Sequence, residues 1–324
     1  MRRIDPAFPD LLPLGHRLGS VPPPGATPVL DPVEMRLVRG PSRRASTRGE
    51  RTPPRRPLPL LVHAAEARRE ADYLGELLAA GCGVVLVLDD VIDPGVLPAG
   101  PLPGQLVVLS PRLPELWESR PLPPLFAWRE RGASSGVLLA LGPSRQPVDE
   151  VWRATTAARD CGAEFVLAMP LALPPQDRHR VYDDHAGESG DGILENLLFH
   201  TDLSQLAFEL EREATRACRS LGLAEGLLGP ATSARSLTTT AASHAMLLWA
   251  RRLDLLDGVT SHGWQLRRAA RALAASGRDA QVLLTEDNLR ILPGFDPWTE
   301  AFSRSLWSGN GEPFEEFLAR WIAQ

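Results

Sequence analysis

The sequence predicts an α/β protein built around a TIM-like βα barrel, complete or incomplete, with a mainly helical region appended at its C-terminal end. Short apolar runs alternate with amphipathic stretches of helical period between residues 59 and 223, a pattern that is typical of parallel βα units. A chain of 324 residues is also long enough to hold one large domain and a smaller one.

The predicted strands are short and continuously apolar, as expected for buried strands of a parallel sheet. They lie at residues 59–63, 83–88, 105–109, 125–129, 136–141 and 165–169. Helices are predicted at 64–80 and 148–160, and Gly81 and Gly162 end them. Strand, helix and strand in this order imply parallel pairing through right-handed crossovers. Five or six such strands before residue 170 favour a barrel over an open sheet.

Three regions follow from this pattern: a Pro/Arg-rich arm at 1–58, the barrel-like domain at 59–223 and the mainly helical region at 224–324. The arm is too rich in proline for regular structure beyond a short strand near residues 34–38. In the last region, helices are predicted at 243–256, 264–275, 297–306 and 313–323, and strands at 281–284 and 289–292. Two helices followed by a hairpin is the order of a winged helix-turn-helix.

The charge is distributed unevenly along the chain. Its net value is −5, but the first 58 residues carry eleven arginines against five acidic groups. The candidate macromolecule-binding residues of this arm are Arg43, Arg44, Arg48, Arg55 and Arg56. One interpretation is that these arginines contact the phosphates of a nucleic acid. The other is that the arm is solvent-exposed and packs against the acidic remainder of its own chain.

All basic residues other than histidine are arginine, and the chain contains no lysine. Imine chemistry on a lysine, attachment of pyridoxal phosphate and a Walker-A phosphate loop are therefore excluded for this chain. Its cysteines, Cys82, Cys161 and Cys218, are too far apart in sequence for a CxxC-type metal or redox motif. We expect each to be a small core residue.

Acidic side chains supply the first catalytic candidates. Asp89 and Asp90 follow the strand predicted at 83–88, and the carboxyl ends of parallel strands are where barrels place ligand-facing groups. Capping of the next turn is the alternative for this pair. By the same positional logic, side chains at other strand ends could line one mouth. These are Ser110, Arg112, Arg129, Glu130 and Met169.

The richest polar cluster runs from residue 177 to 202, and its candidates are Asp183, Asp184 and His185. Imidazole and carboxylate groups at this density could bind a divalent metal or act as a general base. No HxH or HExxH spacing is present, and the composition favours a solvated helix and loop over a metal or general-base site.

Residues 136–223 contain the strand GVLLAL, a proline-led helix, "CGAEFVLAM", a leucine-proline segment and a long helix that ends in ACRSLGL. This stretch resembles the later half of the barrel in radical SAM proteins of the spore photoproduct lyase or DNA repair photolyase-like group. The resemblance implies a βα barrel. That family holds an iron–sulfur cluster on a CxxxCxxC loop, which this chain lacks, so no catalytic residue, cofactor-binding residue or cluster is carried over.

The sequence thus supports three functions. The first is a degenerate, cluster-lacking barrel protein that binds a macromolecule through its arginine arm and C-terminal region, with a protein partner such as an active paralogue. The second is a TIM-barrel enzyme that uses strand-end carboxylates and a divalent metal. The third is a DNA-associated winged-helix protein, which requires Arg267, Arg268 and Arg271 to be exposed on one helix face. The absence of long apolar runs and of a signal sequence predicts a cytoplasmic protein without a membrane partner.

Overall fold

The computed structural model describes part of the chain. The described residues are 16–18, 28–31, 36–39, 60–81, 83–88, 92–97, 105–114, 121–144, 146–171, 173, 175, 178–179, 182–183, 192, 195–201, 203–226, 237–257 and 261–307. The chain divides into two compact units, Met1–Thr232 and Ser233–Gln324.

The first unit is built on a parallel sheet. The described strands are β1 (His16–Leu18), β2 (Pro28–Asp31), β3 (Arg36–Arg39), β4 (Leu60–His63), β5 (Val84–Val87), β6 (Leu106–Arg112), β7 (Ser134–Leu141), β8 (Phe165–Pro170) and β9 (Ala224–Glu225). β1 and β4 to β9 pair in that order, and every pair is parallel. β2 and β3 form a separate antiparallel pair.

Along the chain, the helices of this unit alternate with strands of the parallel sheet. They are α1 (Ala64–Arg69), α2 (Ala71–Ala79), α3 (Phe126–Glu130), α4 (Pro147–Asp160) and α5 (Leu203–Leu221). A 3-10 turn (Pro94–Val96) and a π-helical turn (Asn196–His200) complete the described segments.

Helix α4 shows why the sequence forms helices where it does. Pro147 occupies the first turn, where it costs no hydrogen bond, and acidic side chains in that turn suit the helix dipole. Val151, Ala154 and Ala158 recur with helical period and are buried. The helix ends before Gly162, whose φ of +94° is a backbone conformation that glycine adopts readily.

Both faces of the sheet are buried. One face packs with α2, α4 and α5 in an apolar core to which Val108, Val137 and Val166 belong. The alternating side chains point to the other face, and those of Val87, Leu109 and Leu167 are also fully buried. The buried strands are thus apolar on both faces, which explains why their sequences show continuous apolar runs.

The order of the strands follows the order of the chain. Because such crossovers are right-handed, each one displaces the next strand in the same direction along the sheet. The strands are also staggered: β6 continues past Leu109, the last residue that pairs with β5, to Arg112, and β7 continues past Leu139 to Leu141. The sheet is therefore wound in a single direction, with later strands shifted along their axis.

One row across the sheet shows how its second face is filled. His63, Val87, Leu109, Gly136 and Phe165 are neighbours in register on β4 to β8. A Cβ atom at Gly136 would lie 2.5 Å from the Phe165 ring. The ring therefore occupies the space above Gly136, and a small residue on β7 is matched to a large one on β8.

Two predictions for this unit are wrong. The segment predicted as a strand at 125–129 falls on helix α3. Leu125, the residue before the helix, and Trp128 within it are buried at helical spacing, while Phe126 is exposed. A short apolar run does not distinguish the two structures. The arm was expected to hold one short strand, but β1, β2 and β3 all lie within it, and β1 pairs with β4.

The second unit is helical in its described part. Its helices are α6 (Leu237–Asp257), α7 (Ser261–Ala275), α8 (Ala280–Thr285) and α9 (Pro297–Trp307), and a 3-10 turn spans Leu289–Ile291. The hairpin predicted at 281–292 is therefore wrong. Asp279 caps α8 by accepting a hydrogen bond from Gln281 N at 2.8 Å, and Ala280 and Leu283 are buried one helical turn apart.

A cluster of aromatic rings joins three helices of the second unit. Trp298 stacks on Phe302 with 5.2 Å between ring centroids, Phe302 meets Trp249 edge-on at 5.4 Å, and His262 lies 4.2 Å from Trp298. These contacts join α9 to α6 and to the first turn of α7. Over the described residues, no helix is long and apolar enough to cross a membrane.

Candidate functional site

The carboxyl edge of the parallel sheet is the first place to look for a site, because parallel α/β proteins bind ligands there. His63 is the last residue of β4, and its side chain is buried. Met169 near the end of β8 is buried too, whereas Arg112 at the end of β6 is half-buried. Of the predicted strand-end candidates, Ser110 is almost fully buried and Arg112 and Met169 remain at this edge.

His63 was not among the candidates from sequence. It shares its row with Val87 and Leu109, so a titratable imidazole lies in register with apolar side chains at the edge where ligands bind. The sequence feature that could have identified His63 is its position at the end of the strand predicted at 59–63. A single buried histidine is also compatible with a purely structural role.

The loops that follow β6, β7 and β8 meet at the same edge. A Cβ atom on Gly142 would lie 3.3 Å from Pro114 and 3.5 Å from Leu171. Ser144, two residues on, is buried, and its hydroxyl has no hydrogen-bond partner. The three loops are therefore packed closely by small and apolar residues at this edge.

Of the predicted aspartate candidates, the structure describes only Asp183. Asp89 and Asp90 lie outside the described residues, as do Asp184 and His185. Asp93, from the same acidic run as Asp89, caps the 3-10 turn by accepting a hydrogen bond from Gly95 N at 2.7 Å. Asp183 is exposed. No group of three His, Cys, Asp or Glu side chains that could hold a metal ion occurs among the residues that the structure describes.

The described part of the polar cluster at 177–202 has structural contacts. Arg178 donates hydrogen bonds to the carbonyl oxygens of Leu173 at 2.7 Å and Leu198 at 3.3 Å. The rings of His179 and Tyr182 both contact Phe199. These contacts hold the segment after β8 to the π-helical turn.

Arg129 and Glu130 lie at the opposite edge of the sheet from Arg112 and Met169, so the prediction that all these residues line one mouth is wrong. Arg129 is 3.6 Å from Glu164, which precedes β8, and Glu164 accepts a hydrogen bond from Ser135 N at 3.0 Å. With Phe126, Gly132, Ala133 and Ser134 they line an open depression of about 480 Å³ at the amino edge. The cause of the error is helix α3, which replaces the predicted strand.

The cysteines do not supply a nucleophile in the described residues. Cys218 is buried. The thiol of Cys161 donates a hydrogen bond to Ala158 O at 3.1 Å, and burial raises its pKa. A raised pKa leaves less of the reactive thiolate at neutral pH. Cys82 lies outside the described residues.

A different kind of site is formed by helix α7 in the second unit. Trp264 is 59 % exposed, and Arg268 and Arg271 are exposed on the same helix. Positions four and seven residues after Trp264 fall on one helical face. We call these three residues the α7 face. Arg267, which the winged-helix hypothesis also requires on the exposed face, is buried, so this requirement is not met.

The charge on α7 has one sign. No acidic residue occurs between residues 261 and 275. The α7 face therefore presents an aromatic ring and two guanidinium groups with no acid on its own helix.

No family model matches the chain, and no curated protein matches its sequence.

Proposed function

We propose that this chain is a βα-barrel-type protein that works by binding an anionic macromolecule through the α7 face of its second unit. The observation that carries the proposal is the exposure of Trp264 beside Arg268 and Arg271 on a helix without acidic residues. Tryptophan and arginine are the residue types most often responsible for binding energy at macromolecular interfaces.

The energetics favour burial of this face in a complex. A tryptophan side chain carries roughly 150–250 Å² of surface, and burial of apolar area contributes about 25 cal/mol per Å². Contact with a partner would therefore recover a few kcal/mol from Trp264. The two guanidinium groups would add charge-assisted hydrogen bonds to carboxylate, sulfate or phosphate oxygens.

The arginine arm extends the proposal to the N-terminal part of the chain. The argument for the arm rests on its amino-acid composition, because its candidate residues lie outside the described residues. These are Arg43, Arg44, Arg48, Arg55 and Arg56. A segment in which arginine outnumbers acidic residues attracts the same anionic partners as the α7 face. The arm would then strengthen binding without specifying the partner.

The scaffold in this proposal is a TIM-like barrel related to the radical SAM barrels but without their cluster. Strand order that follows chain order supports a barrel, because doubly wound sheets reverse direction at a switch point. Stagger between strands and burial of both faces are also features of barrels. A protein partner, such as an active paralogue, is the competing hypothesis for the macromolecule.

A second candidate is a metal-dependent enzyme at the carboxyl edge. Burial of His63 at the end of β4 favours it, since Asp89 and Asp90 follow β5, the strand that pairs with β4. Imidazole and carboxylate are common ligands of divalent metals. Stoichiometric metal in the purified protein would favour this candidate over the first.

The proposed function is tested by titrating the full chain with a heparin oligosaccharide, a polyanion without bases, at several salt concentrations. The variant Arg268→Ala/Arg271→Ala should bind heparin more weakly. Its plot of log K against log salt should also be less steep, by about two units of slope. The control Arg68→Ala/Arg69→Ala removes two exposed arginines of α1 and should bind like the unmodified protein. Equal affinities for all three proteins would overturn the proposal.

A further inference from the structure

The α7 face also indicates which anionic macromolecule would bind. Its apolar part is a single large aromatic ring, and protein interfaces of ordinary size bury about 800 Å² on each partner. One tryptophan supplies only a fraction of that area. Nucleic acid, in contrast, needs little apolar surface, because one ring can stack on one base while guanidinium groups contact the phosphates.

The residue types distinguish single strands from duplexes. A duplex hides the faces of its bases, and duplex readers present side chains that hydrogen-bond to base edges in the grooves. Trp264 offers a flat face and one N–H group, which suit a base that is not already stacked on both sides. The hairpin that a winged reader of duplex DNA requires is helix α8 in this structure.

The spacing on α7 fits a short stretch of strand. From Trp264 to Arg271 the helix rises about 10 Å, which corresponds to about three nucleotide steps of a stacked strand. The aromatic ring lies at one end of this distance and the two arginines follow it along the helix. The first turn of α7 is held in place by the contact between His262 and Trp298, so the ring is presented from an anchored helix.

We propose that the α7 face binds single-stranded nucleic acid, with a base stacked on Trp264 and phosphates on Arg268 and Arg271. This inference rests on the proposed function and narrows its partner to one chemical class. Stacking is tolerant of sequence because every base has a flat face. The site would therefore bind single strands with little preference for their sequence.

The test measures fluorescence anisotropy of a labelled oligothymidylate of about 16 nucleotides with the full chain. Trp264→Ala should weaken binding about tenfold or more, whereas Trp264→Phe, which keeps a flat ring, should stay within about threefold. Val282→Ala removes another exposed apolar side chain of the second unit and should leave binding unchanged. A duplex of the same length should bind more weakly than the single strand.

Three outcomes would overturn the inference. If Trp264→Ala binds the oligonucleotide as tightly as Val282→Ala does, no base stacks on this ring. If the chain binds a duplex or polyglutamate as tightly as the single strand, charge alone accounts for the binding. After either of these two results, heparin binding that depends on Arg268 and Arg271 would still support the proposed function. Failure to bind heparin and oligonucleotide at low salt would overturn both.

Discussion

Glu300 illustrates how the second unit accommodates a buried charge. Its carboxylate accepts hydrogen bonds from Arg304 Nε at 3.1 Å and Nη2 at 2.9 Å, and Arg290 pairs with its other oxygen. The hydrogen bonds from Arg304, and then those from Arg290, hold the pKa of Glu300 below its ordinary value. The carboxylate thereby links α9 to the 3-10 turn at 289–291.

The direction of this pKa shift fixes a dependence of stability on pH. Because the pKa is lower in the folded than in the unfolded chain, the stabilisation is fully present above the unfolded value, near pH 4, and is lost as pH falls through the folded value. Glu300→Gln should therefore lower the melting temperature of the second unit by a few degrees at neutral pH, and the difference should shrink in acid. Thermal unfolding followed by circular dichroism at several pH values measures it.

Glu286→Gln is the matched control, because Glu286 is exposed and accepts a local hydrogen bond from Asn288. It should melt like the unmodified protein at every pH. If the melting temperature of Glu300→Gln stays below that of the unmodified protein by the same amount from neutral pH to pH 3, the charge of Glu300 is not what stabilises the unit.

Among the single elements, helix α3 is a clear case in which the structure differs from the prediction made from sequence. Residues 125–129 are apolar enough for either a strand or a helix. The chain around them decides: Leu125 N donates a hydrogen bond to Cys161 O at 2.7 Å, and Trp128 is 2 % exposed while Phe126 is 50 % exposed. In a strand, these two aromatic residues would lie on the same face.

This difference in burial gives a prediction for two truncations. Trp128→Ala should lower the free energy of unfolding by about 3–5 kcal/mol, as expected for removal of a large buried side chain. Phe126→Ala should cost about 1 kcal/mol, because half of that ring is already in water. Urea unfolding of the two variants measures both values. Equal costs would indicate that both rings share one buried face, as in a strand.

Over the whole molecule, local patterns predicted most of the fold. The strands at 83–88, 136–141 and 165–169 and the helix at 148–160 are present in the structure close to their predicted bounds. The strands are continuously apolar because both of their faces are buried, and the helix buries one face whose period is visible in the sequence. β1 could not be predicted in this way. It has three residues, and its partner β4 lies more than forty residues further along the chain.

The candidate site was predictable to a smaller extent. Helical period places Trp264, Arg268 and Arg271 on one face, but sequence alone cannot tell whether that face or its opposite packs inward. Trp249 and Trp264 are the same residue type in neighbouring helices, yet one is buried at 6 % exposure and the other is exposed. Only tertiary packing separates a core tryptophan from one that is available to a partner.

The most direct test of anionic macromolecule binding at α7 is hydrogen–deuterium exchange of the full chain, with and without saturating heparin oligosaccharide. Binding at α7 predicts slower exchange for peptides that cover residues 261–275, because a bound partner suppresses local opening of the helix. At the same heparin concentration, that protection should be smaller in Arg268→Ala/Arg271→Ala, because this variant is expected to bind heparin more weakly. Protection that leaves 261–275 unchanged and falls on other parts of the chain would contradict the proposed function.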